Sequence, residues 1–151
     1  MGKIFIYYSN TGNGDMVATK FVEKGFTIRR AIPKKDLPKL KFFKVLKGVF
    51  LTFTKKKMQL KEFIDDVADF DTIVIGSPTW ADNLSSPILT VLDLINLEGK
   101  SFGFVLYSAS GEANGSISTL KERFGEDTKI LVLKEPKENK VELRKIDEFL
   151  G

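Results

Sequence analysis

The sequence predicts an α/β protein, a three-layer doubly wound sandwich built on a five-stranded parallel sheet. Three observations carry that expectation. Short apolar runs rich in β-branched and aromatic residues alternate five times with segments of helical periodicity. The runs are apolar almost throughout, as strands are when helices cover both faces of a parallel sheet. The first run breaks into a cluster of turn-formers, Ser9 to Gly14, directly before a helical pattern.

Taken in order, Lys3 to Tyr8 (KIFIYY) is the first strand, and Asp15 to Lys24 a helix with Met16, Val17, Phe21 and Val22 at helical spacing. Gly25 closes that helix as a C-cap. Phe26 to Ile32 is the second strand, ended by Pro33. Phe63, Ile64, Val67 and Ala68 mark a short helix before the third strand, Phe70 to Gly76. Pro87 opens a helix through Asn96 whose face is Ile88, Val91, Leu92 and Ile95. Ser101 to Tyr107 is the fourth strand, Ile117 to Phe124 lies in a helix capped by Gly125, and Thr128 to Leu133 is the fifth strand. Val141, Ile146, Phe149 and Leu150 line a terminal helix. The 151 residues suit a single domain, 1–151, with no repeat and one irregularity, a basic insertion at about 34–58.

Composition narrows the chemistry. With no cysteine there is no disulfide, thiolate nucleophile or iron–sulfur ligand, and with no histidine zinc catalysis and Ser-His-Asp chemistry lose their usual actors. No catalytic residue and no metal site is expected, so redox or group-transfer chemistry must come from a bound cofactor or from carboxylates. The first apolar run is too short for a signal peptide and no stretch is long enough to span a membrane, which makes the expected location cytoplasmic. The net charge of +4 hides a division: Arg29 to Lys61 holds twelve Lys/Arg and one acid (Asp36), and the rest of the chain is acidic.

Three glycine-loop readings compete for Ser9, Asn10, Thr11, Gly12, Asn13 and Gly14. A P-loop lacks its Gly-Lys-Ser/Thr, and a dinucleotide fingerprint lacks its third glycine, since position 17 is valine. The third reading is an uncharged cradle of hydroxyls, amides and a helix N-terminus that holds a phosphate without a lysine. A plain strand-to-helix turn is the bland alternative. The loop resembles that of the flavodoxin family, Thr/Ser-x-Thr-Gly-x-Thr after strand one. Gly14 departs from it by lacking the last hydroxyl, and Asp15 would repel a phosphate if it pointed inward.

A second segment, Gly76-Ser77-Pro78-Thr79-Trp80-Ala81-Asp82-Asn83, resembles the flavodoxin loop whose tryptophan stacks on the flavin ring. Trp80 is the only tryptophan, and the competing reading makes it a plug at the rim of the core. Ala81 stands where the family has a glycine whose peptide turns over when the flavin gains an electron, a motion alanine resists through its dislike of positive φ. The third loop, Ser108, Ala109, Ser110 and Gly111, follows strand four and lacks the aromatic residue that many flavodoxins place there. The resemblance implies FMN as cofactor, a sheet order of 2-1-3-4-5, and contacts from Ser9–Gly14, Pro78–Asn83 and Ser108–Gly111.

In the insertion, Phe42, Leu46, Val49, Phe50 and Phe53 recur at helical spacing among lysines. Four readings stay open: a helical excursion packed on the domain, a lid over the flavin (Phe43, Phe50 or Phe53), docking of an acidic redox partner protein, and contact with an anionic membrane surface. Nucleic acid is not an expected partner, because the lysines surround a phenylalanine stripe and the rest of the chain is acidic. The implied function is an FMN-binding electron carrier; the alternative is an FMN-dependent NAD(P)H:quinone-type or small-acceptor reductase of the same fold. A phosphoacceptor receiver domain is contradicted by Ser9 and Asn10, where it needs acids.

Overall fold

Five apolar runs become five parallel strands, and the computed structural model describes them within residues 2–35 and 58–151. The strands are β1 (Gly2–Tyr7), β2 (Thr27–Arg30), β3 (Phe70–Trp80), β5 (Ser101–Ser108) and β6 (Lys129–Lys134), with a two-residue β4 (Asn83–Leu84) folded back on β3. Their order across the sheet is β2-β1-β3-β5-β6. Counting only the parallel strands, that is the expected 2-1-3-4-5. Every neighbouring pair on this path is parallel. The expected doubly wound architecture is the one observed.

Alternation along each strand sends side chains to two cores. Ile4, Ile6, Ile73, Ile75, Phe104 and Leu106 pack on one face with Ile88, Val91 and Leu92 of α2 (Ser86–Leu94) and Leu120 of α3 (Asn114–Phe124). Phe5, Tyr7, Val74, Val105 and Tyr107 pack on the other with Val17 and Phe21 of α1 (Asn13–Glu23) and Ile146 and Phe149 of α4 (Lys145–Leu150). Phe21 stacks on Phe5 with ring centroids 4.1 Å apart. Helix α1 ends in a Schellman turn, with Phe26 N–H on Phe21 O and Gly25 N–H on Val22 O.

Several expectations need correction. No helix forms at 63–68. Arg29 Nη1 donates to the carbonyls of Ile64 (3.0 Å) and Asp66 (2.8 Å), and Asp66 Oδ1 accepts the N–H of Ala68, so side chains satisfy the backbone groups a helix would pair. Val22, placed on the apolar stripe of α1, is exposed, and so is Val141, which lies in a 3-10 turn (Lys140–Arg144) before α4. Strand β3 runs four residues beyond Gly76, absorbing Pro78, Thr79 and Trp80 into the sheet. The stripe from Phe42 to Phe53 lies outside the described residues, with the readings that rest on it. Its flanks are joined: Pro33 bridges Leu60, and Lys34 N–H donates to Gln59 O at 2.9 Å. Among the described residues no helix is long and apolar enough to cross a membrane.

Candidate functional site

The loops expected to meet a ligand lie side by side at the carboxyl ends of β1, β3 and β5, where open parallel sheets bind ligands. After β1 the chain turns through Gly12, whose φ of +99° is left-handed, into the first turn of α1. Ser9 is buried, and its Oγ accepts the N–H groups of Gly12 and Gly14, each at 3.1 Å. Expected as a phosphate donor, Ser9 thus first closes the turn, leaving its own hydroxyl hydrogen to give. Thr11 is exposed and Asn10 half-buried. Asn13 acts as a tie: its Oδ1 accepts the N–H of Lys137 at 3.0 Å, and its Nδ2 reaches Thr11 Oγ1 at 3.4 Å.

The missing hydroxyl at position 14 has a packing cause. A Cβ there would stand 2.5 Å from the Tyr107 hydroxyl and 2.8 Å from Ser9 Cβ. Tyr107, the last residue of the expected fourth strand, lies in the core and donates its hydroxyl to Tyr8 O. Burial pushes its phenol well above the ordinary range.

Asp15 is held by its own neighbours. Its Oδ1 accepts from Tyr7 Oη at 2.7 Å and pairs with Arg30 Nη1 at 2.6 Å, while Arg30 Nη2 donates to Ser9 O at 2.9 Å. A guanidinium on β2 thereby neutralises the acid and braces the loop. Burial first, and then the Asp15 carboxylate, push the Tyr7 phenol up to about 12. Sequence reasoning missed both cations near the loop, Arg30 and Lys137. Lys137 Nζ donates to Thr11 O at 3.3 Å across 126 positions of chain, a distance no spacing motif encodes.

The second loop is a tight hairpin. Trp80 pairs with Asn83 across a two-residue turn in which Ala81 (φ +48°) and Asp82 (φ +64°) are both left-handed. Ala81 thus already adopts the positive φ it was expected to resist. Asp82 Oδ2 accepts the N–H of Gly115 at 2.8 Å, and Ser116 Oγ donates to Asp82 O at 3.1 Å, so the hairpin docks on the N-terminus of α3. Asn83 Nδ2 donates to Ala81 O. Trp80 is 2% exposed and meets Tyr8 edge-on, centroids 5.6 Å apart. The indole expected to stack on a flavin packs within the core in this structure. Pro78 and Thr79 are half-buried strand residues.

In the third loop Ser108 is buried and accepts the N–H of Gly111 at 2.9 Å, while Ala109 and Ser110 are exposed. Ser110 Oγ accepts the N–H of Glu112. No group of acids able to hold a metal occurs among the described residues.

The arrangement suits one half of FMN better than the other. The turn into α1, its exposed threonine, its neutralised acid and the lysine at Thr11 fit a phosphate. The exposed turn residues Ala81 and Asp82 and the small residues of 108–111 give backbone groups close access to a flat ring.

Comparison with known proteins decides the family. The sequence model of the NADPH-dependent FMN reductases matches residues 12–126, from Gly12 through α3. The chain belongs to that family. Among solved structures, its fold is similar to that of a provisionally assigned flavoprotein of Bacteroides eggerthii DSM 20697, with a TM-score of 0.73, 20% identity, and coverage of 100% of this chain and 99% of that one. It is also similar to a flavoprotein of Lactobacillus acidophilus NCFM solved in complex with FMN, with a TM-score of 0.67, 18% identity and 99% of each chain covered. A provisionally assigned quinone reductase of Klebsiella pneumoniae has a TM-score of 0.51 at 11% identity, with 99% of this chain and 85% of that one covered. At these identities the likeness is one of fold. No curated protein matches the chain in sequence. The flavodoxin-like fold stands, and the family match is to the reductases.

Proposed function

We propose that this FMN reductase-family protein binds FMN and uses it to move reducing equivalents from NAD(P)H to a quinone or another small acceptor. The family match over 12–126 carries the reading, because it takes in the turn into α1 and the loops after β3 and β5. The position of Trp80 supports it against the electron-carrier alternative. With its indole in the core, Trp80 does not clamp the ring, and a reductase needs a ring face that a nicotinamide or acceptor can reach.

FMN, when bound, would supply the redox chemistry, accepting a hydride from a nicotinamide and passing two electrons to the acceptor, with the second proton that a quinone needs taken from water. The protein's part is to hold and orient. Thr11, the amides at the start of α1 and Lys137 take the phosphate; Arg30 keeps Asp15 from opposing it. The Ala81–Asp82 turn, pinned to α3, and the 108–111 loop present backbone groups to the ring edge. Proteins acting as electron donor or acceptor belong to the carrier alternative.

Purified protein loaded with FMN tests the choice. We expect it to oxidise NADPH directly when a small quinone is present. If it binds FMN yet turns over only when a separate reductase is added, the carrier reading replaces this one.

A further inference from the structure

We propose that Lys137 is the residue by which this protein selects the phosphorylated flavin over riboflavin. The inference rests on the FMN reading and adds a specificity-determining cation from outside the matched family region. Uncharged cradles of this kind hold a phosphate by hydroxyls, amides and a helix N-terminus, and the sequence of the loop itself offers no lysine.

The segment after β6 is built to present one. Glu135 N–H donates to Ser108 O at 3.0 Å, which fixes the segment to the end of β5. Glu138 and Asn139 both return their N–H groups to Glu135 O, at 3.0 and 2.8 Å, closing a turn with buried Pro136 inside it. At the tip, Lys137 N–H donates to Asn13 Oδ1 at 3.0 Å. Its aliphatic stem crosses Gly12 so closely that a Cβ there would meet Cδ at 3.2 Å. The ammonium ends 3.3 Å from Thr11 O.

That resting place is a long bond to a neutral carbonyl. Among the described ion pairs no carboxylate engages Lys137, whereas Lys20, Lys24, Lys121 and Lys145 each have one. Asp15, the acid that follows the loop in sequence, is committed to Arg30 and Tyr7. A phosphate oxygen at the start of α1 is a stronger partner for an ammonium than a peptide carbonyl. Lysine is long and flexible enough to turn from Thr11 O to such an oxygen while its backbone stays on Asn13. Riboflavin, lacking the phosphate, gains nothing from the charge.

Lys137→Met keeps the stem and removes the charge; Lys137→Arg keeps a charge. Quenching of flavin fluorescence gives dissociation constants for FMN and riboflavin with each protein. We expect Lys137→Met to weaken FMN binding about tenfold, the scale of one charge-assisted hydrogen bond, and to leave riboflavin binding unchanged. FMN affinity of the variant falls less steeply with salt than that of the unmodified protein, and Lys137→Arg retains most of the preference. Equal losses for both flavins make Lys137 a structural strap and overturn the proposal, as does no loss for either. If the unmodified protein binds both flavins equally well, the selection is absent although the flavin reading survives. If it binds neither, both fall.

Discussion

Ala81 and Asp82 occupy the left-handed region consecutively, a conformation that costs an L-residue with a Cβ about 1 kcal/mol or more. For Asp82 the cost is offset by its bond to Gly115 N–H; Ala81 has no such compensation in its side chain. Ala81→Gly is therefore expected to stabilise the fold by up to about 1 kcal/mol, less the extra freedom glycine gives the unfolded chain. Urea denaturation of the two proteins measures it, and a destabilised variant would refute the strain. Residue-level roles were the least legible part of the sequence. Ser9, Asn13 and Trp80 were singled out as ligand contacts, but their side chains go to Gly12 and Gly14, to Lys137, and to Tyr8. Which way a side chain turns depends on neighbours brought in from distant strands, and one sequence does not carry that information.

Between elements, the contact that organises the site joins the β3–β4 turn to α3. Asp82 takes the part of an N-cap from outside the helix, accepting an N–H of the first turn, and Ser116 answers with a bond to Asp82 O. Gly115 is required for it, since a Cβ there would stand 2.5 Å from Asp82 O. Asp82→Ala is expected to cost about 1 kcal/mol and to leave the amides at the start of α3 exchanging faster with solvent. Hydrogen exchange that is unaltered there would show that the cap is idle. Elements themselves were largely legible, because alternating apolar runs and helical stripes are local. The helix expected at 63–68 failed because Arg29, from β2, captures its carbonyls, and β4 was invisible because two residues make no pattern.

At the scale of the whole molecule, sheet order followed from the loop resemblance and alternation, and the structure has it. The two phenols beneath the turn from β1 into α1 couple that architecture to pH. Tyr7 is raised from 10.0 to about 12 and Tyr107 is raised well above 10.0, both chiefly by burial. The folded state thus keeps protons that the unfolded chain sheds. Their contribution is whole below about pH 10 and is lost as pH climbs from there through about 12. Stability by circular dichroism is expected to hold through neutral pH and fall above about pH 10, with a shallower fall in Tyr7→Phe. An equally steep decline in that variant would remove Tyr7 as a cause.

Trp80 has one more consequence. A solitary indole, wrapped in apolar side chains and lying edge-on to Tyr8, is a built-in optical probe. Its emission arises from a single environment, blue-shifted while the interior is dry and moving to the red once water enters. Flavins absorb where indoles emit, so FMN uptake at the proposed site will dim the same signal by energy transfer, without the red shift. One spectrum then separates loss of the cofactor from loss of the fold.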